Sequence, residues 1–329
     1  PTSSIYGAGL GGAINLYSAD PGKRQSHIGV KMQGGSYNTW KKSDVISING
    51  ENSSFFANYN HVKSDGWRDN GSYDRKSGLL NAKVLTSGNN SLSFLANFVR
   101  LKAYIPSSIS EDDFFNDPES AAYTWGASRG YESYDRGLLG ISYNHHLSEN
   151  FTNQTSIFLN FRNAYEPRPF DILKEERLSA GARTNFSLAT SIFEKPADIS
   201  FGAQYYNEWY ETGTFENLYE DFDDLGSVRG ERLSNNEQDR YYANFFAQLN
   251  LNLTENLLVE AGLNFNTTGY SLDDFYTEDN IDQTGSYTFD AVFSPRVGLS
   301  YEVAERKNLY ASVSHGFSTP TVAETLTPE

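Results

Sequence analysis

Apolar residues recur at every second position through one segment after another, and this period of two constrains the fold more than any motif does. From Tyr241 to Leu253 every odd position is apolar, while the even positions include Asn244, Gln248, Asn250 and Asn252. Leu257, Val259, Ala261, Leu263 and Phe265 alternate in the same way with Glu260, Asn264 and Asn266, and so do Ile199, Phe201, Ala203 and Tyr205 with Ser200, Gln204 and Glu208. A two-residue period puts one side-chain set on each face of an extended strand, here one greasy and one wet. About thirteen such segments run from residue 27 onward, each roughly nine to thirteen residues long, the length a tilted strand needs to cross a bilayer.

The connections decide between a soluble sandwich and a membrane barrel. Turn-like residues punctuate the chain near 49–52, 87–90, 148–150, 194–196, 254–256 and 304–307. Between them lie longer polar stretches at 64–73, 102–134, 163–177, 212–237 and 269–286, so that short and long alternate. A sandwich has no reason to alternate its loop lengths, whereas a barrel with tight turns on one side of a membrane and long loops on the other does. The chain has no run of 18 apolar residues and therefore no transmembrane helix, and its mean hydropathy is negative, as strands with one wet face require. The expected fold is all-β, an antiparallel transmembrane β-barrel. Thirteen antiparallel strands begin and end on opposite sides and do not close, so the reading expects part of a larger barrel of about 22 strands.

Charge adds a polarity. Of the 42 acidic residues, 18 fall in residues 109–120, 211–237 and 273–282, against only Arg229 and Arg232 on the basic side. The long-loop end is strongly negative, and the formal net charge of −16 argues against nucleic acid as a partner class. The chain has no cysteine, which removes disulfide and thiolate-metal frameworks.

The first sixteen residues, PTSSIYGAGLGGAINL, are glycine-rich. Gly7, Gly9 and Gly12 fit the dinucleotide fingerprint G-x-G-x-x-G, but that motif needs a helix directly after the loop, and Tyr17 to Gly22 form a turn signal instead. The stretch, through Pro1, Ser4, Tyr6, Gly7, Gly9, Gly12, Ala13, Ile14 and Asn15, resembles the end of the plug domain of TonB-dependent outer-membrane receptors. Gly34-Gly35-Ser36-Tyr37-Asn38-Thr39 is similar to their first barrel strand. Ser294-Pro295-Arg296-Val297-Gly298, with Asn308-Leu309-Tyr310-Ala311-Ser312 and Gly316-Phe317-Ser318-Thr319-Pro320-Thr321, is similar to a later block of siderophore-type receptors.

The resemblance implies the end of a plug over residues 1–22, with Tyr6, Gly7, Gly9, Gly11, Gly12 and Asn15 as its structural motif, and the first part of a truncated barrel over 23–329. It implies an outer-membrane receptor that actively imports a scarce metal chelate, with a ferric siderophore the leading ligand class. Cobalamin, haem or glycan import by the same fold, or a passive pore or adhesin, are the alternatives; the stretch Phe317 to Pro320 lacks the arginine that haem receptors carry there. The implied partners are the TonB–ExbB–ExbD energising complex, whose contact segment is expected outside this chain, the ferric chelate, and outer-membrane lipid and lipopolysaccharide. No cofactor, resident metal or catalytic group is expected.

For ligand contact, parity points Arg162, Tyr206, Glu208 and Tyr210 into the lumen, while Arg129, Tyr131 and Arg168 fall in long loops. Guanidinium and phenol groups suit an anionic ferric chelate through charge-assisted hydrogen bonds and stacking. His145 and His146 are adjacent on a strand and face opposite ways, as do Ser314 and His315, so neither pair is read as a metal or catalytic site. The run Glu220 to Asp224 lacks the spacing and glycine of a calcium loop.

Overall fold

The computed structural model describes residues 4–7, 14–18, 26–86, 90–222 and 224–326. Of the sequence features above, Pro1, Gly9, Gly11, Gly12, Ala13, Gly22, residues 87–89 and Asp223 lie outside the described residues.

All strands belong to one antiparallel sheet. β1 (His27–Gly35), β2 (Thr39–Asn49), β3 (Ser53–Ser64), β4 (Tyr73–Leu85) and β5 (Ser91–Tyr104) come first. β6 (Tyr131–Ser148), β7 (Phe151–Arg168), β8 (Asp171–Ile192), β9 (Lys195–Asn217) and β10 (Arg229–Thr254) are longer. β11 (Leu257–Asp274), the four-residue β12 (Gly285–Thr288), β13 (Val292–Ala304) and β14 (Lys307–Ser314) complete it. Each strand pairs with its sequence neighbour, except that β11 pairs with both β12 and β13. Among the described residues β1 and β14 each keep one unpaired edge and the sheet is not closed. Two short helices, α1 (Glu111–Asn116) and α2 (Tyr123–Ser128), sit in the β5–β6 connection, and α3 (Val322–Leu326) follows β14.

Burial is inverted relative to a water-soluble protein. Large apolar side chains face outward and stay exposed, for example Ile157 at 55%, Phe245 at 54% and Phe293 at 61%, whereas the buried set includes Asn264, Asn266, Ser179, Ser294 and Glu208. This is the burial expected when one face meets lipid and the other a polar interior. The parity is consistent across the register: Phe245 stands opposite Phe265, which stands opposite Phe293, with ring centroids 6.2 and 4.7 Å apart. On the other face Asn244 stands opposite Asn266 and accepts its amide at 2.8 Å.

Two segments outside the sheet lie on the polar face. Residues Ser4–Tyr6 form a 3-10 turn against β9, β10, β11 and β13, where Asn264 Nδ2 donates to the Ser4 carbonyl at 3.2 Å and Arg183 donates to the carbonyl of Ile5. Gly262 is required there, because a Cβ at that position would overlap the Ser4 side chain. Ser18 accepts from Asn81 of β4 at 2.9 Å. The polar face is thus the inside.

The described residues form fourteen strands, in line with the expected count of about thirteen, the four-residue β12 being a short addition paired to β11. One expectation needs correction. The stretch 163–177 is not a long loop: β7 and β8 continue as a ladder to Arg168 opposite Asp171, leaving a two-residue turn, and β9 and β10 likewise extend to Asn217 and from Arg229. Beyond the membrane both faces of a strand meet water or loops, so the alternation that marks a spanning strand disappears although the pairing goes on.

The parity makes a direct prediction. Ile157→Arg, on the lipid face, is expected to lower the unfolding free energy of the full-length protein in vesicles by about 2–4 kcal/mol, and Ser156→Arg, one residue away on the inner face, by under about 1 kcal/mol. Denaturant titration followed by tryptophan fluorescence measures both.

Candidate functional site

The inner wall from β6 to β10 carries a continuous chain of polar contacts. Arg162 of β7 lies between Glu132 of β6, at 3.0 Å, and Glu175 of β8, with its guanidinium 5.3 Å from the Tyr134 ring centre. The other oxygen of Glu175 accepts the hydroxyl of Tyr210 on β9. The Arg177 guanidinium sits 4.5 Å above the Tyr210 ring and its Nε is 3.8 Å from Glu208. Glu208, only 4% exposed, accepts from Arg240 and from the Tyr206 hydroxyl at 2.9 Å. Tyr206 stacks on Tyr242 at 5.1 Å and 19°, Gln204 donates to the Tyr242 hydroxyl at 2.8 Å, and Arg183 donates to Gln204 at 2.9 Å. Arg183 in turn reaches the carbonyl of Ile5, so the chain runs from the upper wall to the segment at residues 4–7.

Electrostatics explains why the chain is continuous. A buried carboxylate without a partner costs several kcal/mol, and alternating Glu132, Arg162, Glu175, Arg177, Glu208 and Arg240 gives every ion an opposite neighbour. One donor is left over: Arg177 Nε is buried and has no hydrogen-bond partner among the described residues.

Below this chain lies a cavity of about 420 Å³, lined by Tyr206, Glu208, Arg240, Tyr242, Asn266, Thr268 and Tyr270 of the wall, by Gly7 (φ 94°) and by Phe317 and Thr319. The chain after β14 crosses its mouth, where Tyr270 Oη lies 3.0 Å from both Thr319 Oγ1 and the Pro320 carbonyl. Phenols, a guanidinium, amides and hydroxyls converge on one space that also touches residue 7.

Above the wall the loops form a cap. Arg68, between β3 and β4, donates to the carbonyls of Ser107 (2.7 Å) and Ser120 (2.8 and 3.0 Å), and Asn70 Nδ2 lies 2.9–3.2 Å from the carbonyls of Ile105, Trp125 and Gly130. Ser227 then ties the β9–β10 loop to the Ser128 carbonyl at 2.7 Å. In the acidic loop after β11 the carboxylates bond their own backbone: Asp274 accepts from the amides of Tyr276 and Gln283, Asp279 from Ile281, and Asp282 from Thr284 at 2.9 Å. The Thr284 amide and hydroxyl hold the Asp282 carboxyl below the ordinary carboxylate range.

The sequence-selected residues fall in three places. Arg162, Tyr206 and Tyr210 lie on the inner wall, in the polar chain. Arg129 is the left-handed C-cap of α2 (φ 49°) and packs beside Gly226. Tyr131 and Arg168 are strand residues rather than loop residues. Tyr131 opens β6 on the outward face beneath the Lys102 ammonium (4.1 Å), and Arg168 closes β7 with two hydrogen bonds to Asp171 at 2.6 Å. Asn15 is exposed, and Gly7 alone of the described glycine motif lines the cavity. His315 meets a hydroxyl from the neighbouring strand, Ser294, at 3.2 Å, rather than Ser314. Glu175, Arg177, Arg240 and Tyr242 were not singled out from the sequence; the parity that selected Tyr206 also selects them, but the ion pairs join residues 13 to 32 positions apart.

The family model described as "TonB dependent receptor-like, beta-barrel" matches residues 64–328. The chain belongs to this family. Solved structures agree on the fold. The unliganded ferric citrate transporter FecA superposes with a TM-score of 0.72 at 15% identity, over 89% of this chain and 44% of that one. The ferric-catecholate import receptor Fiu from E. coli K12, in its open form, gives 0.67 at 12% identity over 88% and 54%, and the siderophore receptor PiuA from Acinetobacter baumannii gives 0.72 at 12% over 88% and 49%. No curated protein matches. The chain thus spans about half the length of these structures, and at such identities the likeness shows the fold. As a TonB-dependent receptor barrel it resides in the bacterial outer membrane, with its long loops outside.

Two outcomes are expected. Asn70→Ala removes the amide that holds three carbonyls and should loosen residues 105–130 by about 1–3 kcal/mol, read as faster amide exchange there with β6–β10 unchanged. Because the Asp282 carboxyl titrates below its unfolded value, its contribution is present at neutral pH and is lost as pH falls through that depressed value. The Thr284 amide should therefore exchange faster at pH 3 than at pH 6 once the intrinsic rate is corrected for, and should be slow at neither pH in Asp282→Ala.

Proposed function

We propose that the full-length protein binds an anionic ferric chelate of the siderophore class on its outer side and imports it with energy delivered through the TonB–ExbB–ExbD complex. The observation that carries this reading is the inner-wall cavity in which Arg240, Tyr206, Tyr242 and Tyr270 converge beside Gly7. A ferric chelate presents carboxylate, hydroxamate or catecholate oxygens around the metal. Arginine recognises such oxygens through paired, charge-assisted hydrogen bonds, and phenol rings add stacking and further donors.

The proposal includes the domain reading, with residues 1–22 as the end of a plug and 23–329 as the first part of the barrel. Arg162, Tyr206 and Tyr210 then belong to the ligand path. Arg129, in the loop cap, serves as an early contact, while Tyr131 and Arg168 shape the cap. The protein does no covalent chemistry on its cargo; its family is one of transporters and receptors. The ferric citrate, ferric-catecholate and siderophore ligands named for the three structural neighbours point to the same cargo class.

The test is uptake by cells carrying the full-length gene, using radiolabelled ferric siderophores, ferric citrate, haem and cobalamin, with and without a protonophore. One iron chelate should accumulate, and the protonophore should abolish it; equal entry of small solutes under both conditions would mean a passive pore. Tyr242→Phe, which removes one hydroxyl from the cavity lining and leaves the ion pairs intact, should weaken binding of that chelate about tenfold, as the loss of one hydrogen bond predicts.

A further inference from the structure

We infer that the inner wall of β4–β7 holds a second, weaker site for an anionic, oxygen-rich ligand, close to the short-turn end. On the import reading proposed above, which this inference rests on, it is where the chelate pauses after leaving the upper cavity. One register row is the starting point. Lys83, Ser93, Ser142, Ser156 and Arg183 stand opposite one another across β4–β8. The row continues through Gln204 to Asn244 and Asn266, which line the upper cavity. Barrel strands tilt, so a row at right angles to them climbs the wall. Lys83 and Ser93 each lie two residues from the strand ends that meet at the β4–β5 turn, whereas Asn266 is nine residues beyond the start of β11.

This sector of the wall carries no negative charge. Below the row of Arg136, Arg162 and Arg177, no inward position of β4–β8 among the described residues is Asp or Glu, in a chain of 42 acidic and 26 basic residues. The inward carboxylates of these strands, Glu132, Glu166 and Glu175, all lie above that row. An anion moving down this face therefore meets no repulsion at short range.

A cavity of about 510 Å³ opens on this wall, with Ser18, Lys83, Ser93, Ser142, Gln154 and Phe158 in its lining and no acidic residue there. Gln154 and Ser156 donate to Ser142 at 3.3 and 2.8 Å. Lys83 and Ser93 have no side-chain ion pair or hydrogen bond among the described residues, which leaves an ammonium and a hydroxyl to donate to a ligand. An aromatic rail joins the two cavities. Phe158 of the lower one stacks on Tyr206 of the upper, with ring centroids 6.5 Å apart at 27°, and Tyr206 stacks on Tyr242. Gly181 stands in register between Phe158 and Tyr206, and a Cβ there would overlap the Phe158 ring. Ser18 borders the lower cavity as Gly7 borders the upper, so both lie between the wall and residues that precede β1. One ammonium among neutral hydroxyls holds an oxyanion less tightly than a guanidinium among phenols, and a site that its occupant must leave needs that weakness.

The experiment has two arms, both on the full-length protein. In the first, Ser93→Cys places a thiol beside Lys83 in a segment that has no cysteine, any cysteine elsewhere being replaced by serine. Its rates of modification by an anionic and by a cationic methanethiosulfonate are each divided by the rate with a free thiol in solution. The anionic reagent should gain at least about fivefold over the cationic one, and adding Lys83→Gln should cancel that gain. Equal corrected rates with Lys83 in place, or a thiol closed to both reagents, would overturn the site. The second arm follows the radiolabelled ferric chelate that the wild type imports. Lys83→Glu should leave binding at the cell surface unchanged and slow uptake at least about fivefold, and Lys83→Gln, used where the reversal fails to assemble, should slow it about twofold. Wild-type uptake rates in an assembled Lys83 variant would overturn the transit role and leave the import reading standing. A wild type that imports no chelate would overturn the import reading and the transit role together, whatever the thiol rates.

Discussion

Hydrocarbon offers no hydrogen bonds, and that one constraint dictates most of this structure. Every backbone N–H and C=O inside it needs a partner from the protein, and a strand can find one only in a neighbouring strand. Hence all fourteen strands join one sheet, with sequence neighbours paired and register breaks confined to strand ends near Asn252, Glu302, His146 and Arg229–Ser234. Once the backbone is satisfied in this way, side chains are free to sort by face. Phe245, Phe265 and Phe293 go to lipid while Asn244, Asn264 and Asn266 go inside.

The interior then inherits a problem of its own. A wall rich in ionisable groups is only partly wetted, so charge must be balanced locally. The alternation from Glu132 to Arg240 does this with one opposite charge per step, and the tyrosines fill the gaps: Tyr210 caps Glu175, Tyr206 caps Glu208. A balanced network is rigid. It holds the Arg240 guanidinium and the phenols in fixed positions, which is the preorganisation a recognition surface needs. Its lower end is Arg183 on the Ile5 carbonyl, so the wall and the segment at residues 4–7 share one set of bonds.

Strand type and facing were legible in the sequence because spanning strands are forced to alternate. Tyr206, Glu208, Tyr210 and Arg162 were placed on the inner wall by counting residues. What the count missed follows from where the force stops acting. Outside the bilayer nothing enforces alternation, so the Asn163–Arg177 stretch, with Pro167 in it, reads as a loop although it pairs to its tip through Arg168 and Asp171. The loop cap was equally hidden, since Arg68 bonds carbonyls 39 and 52 residues away and backbone carbonyls leave no trace in sequence. The acidic runs were visible as charge, but their use by neighbouring amides depends on turn geometry.

That use bears on an apparent contradiction: a strongly acidic mouth above a site argued to take an anion. Magnitudes resolve it. Loop carboxylates such as Asp274, Asp279 and Asp282 are exposed to water and already accept backbone amides. At physiological salt their field decays over about 8 Å. The guanidiniums of Arg177 and Arg240 sit in a wall of low polarisability, where a unit charge at 4 Å acts about four times more strongly than in bulk water. On the proposed function, a chelate that had passed the loops would feel the nearby arginines more than the distant acid. On the same proposal the acidic rim would act chiefly by lowering the approach rate of bare anions, which a chelate with stacking surface would offset on reaching the tyrosines.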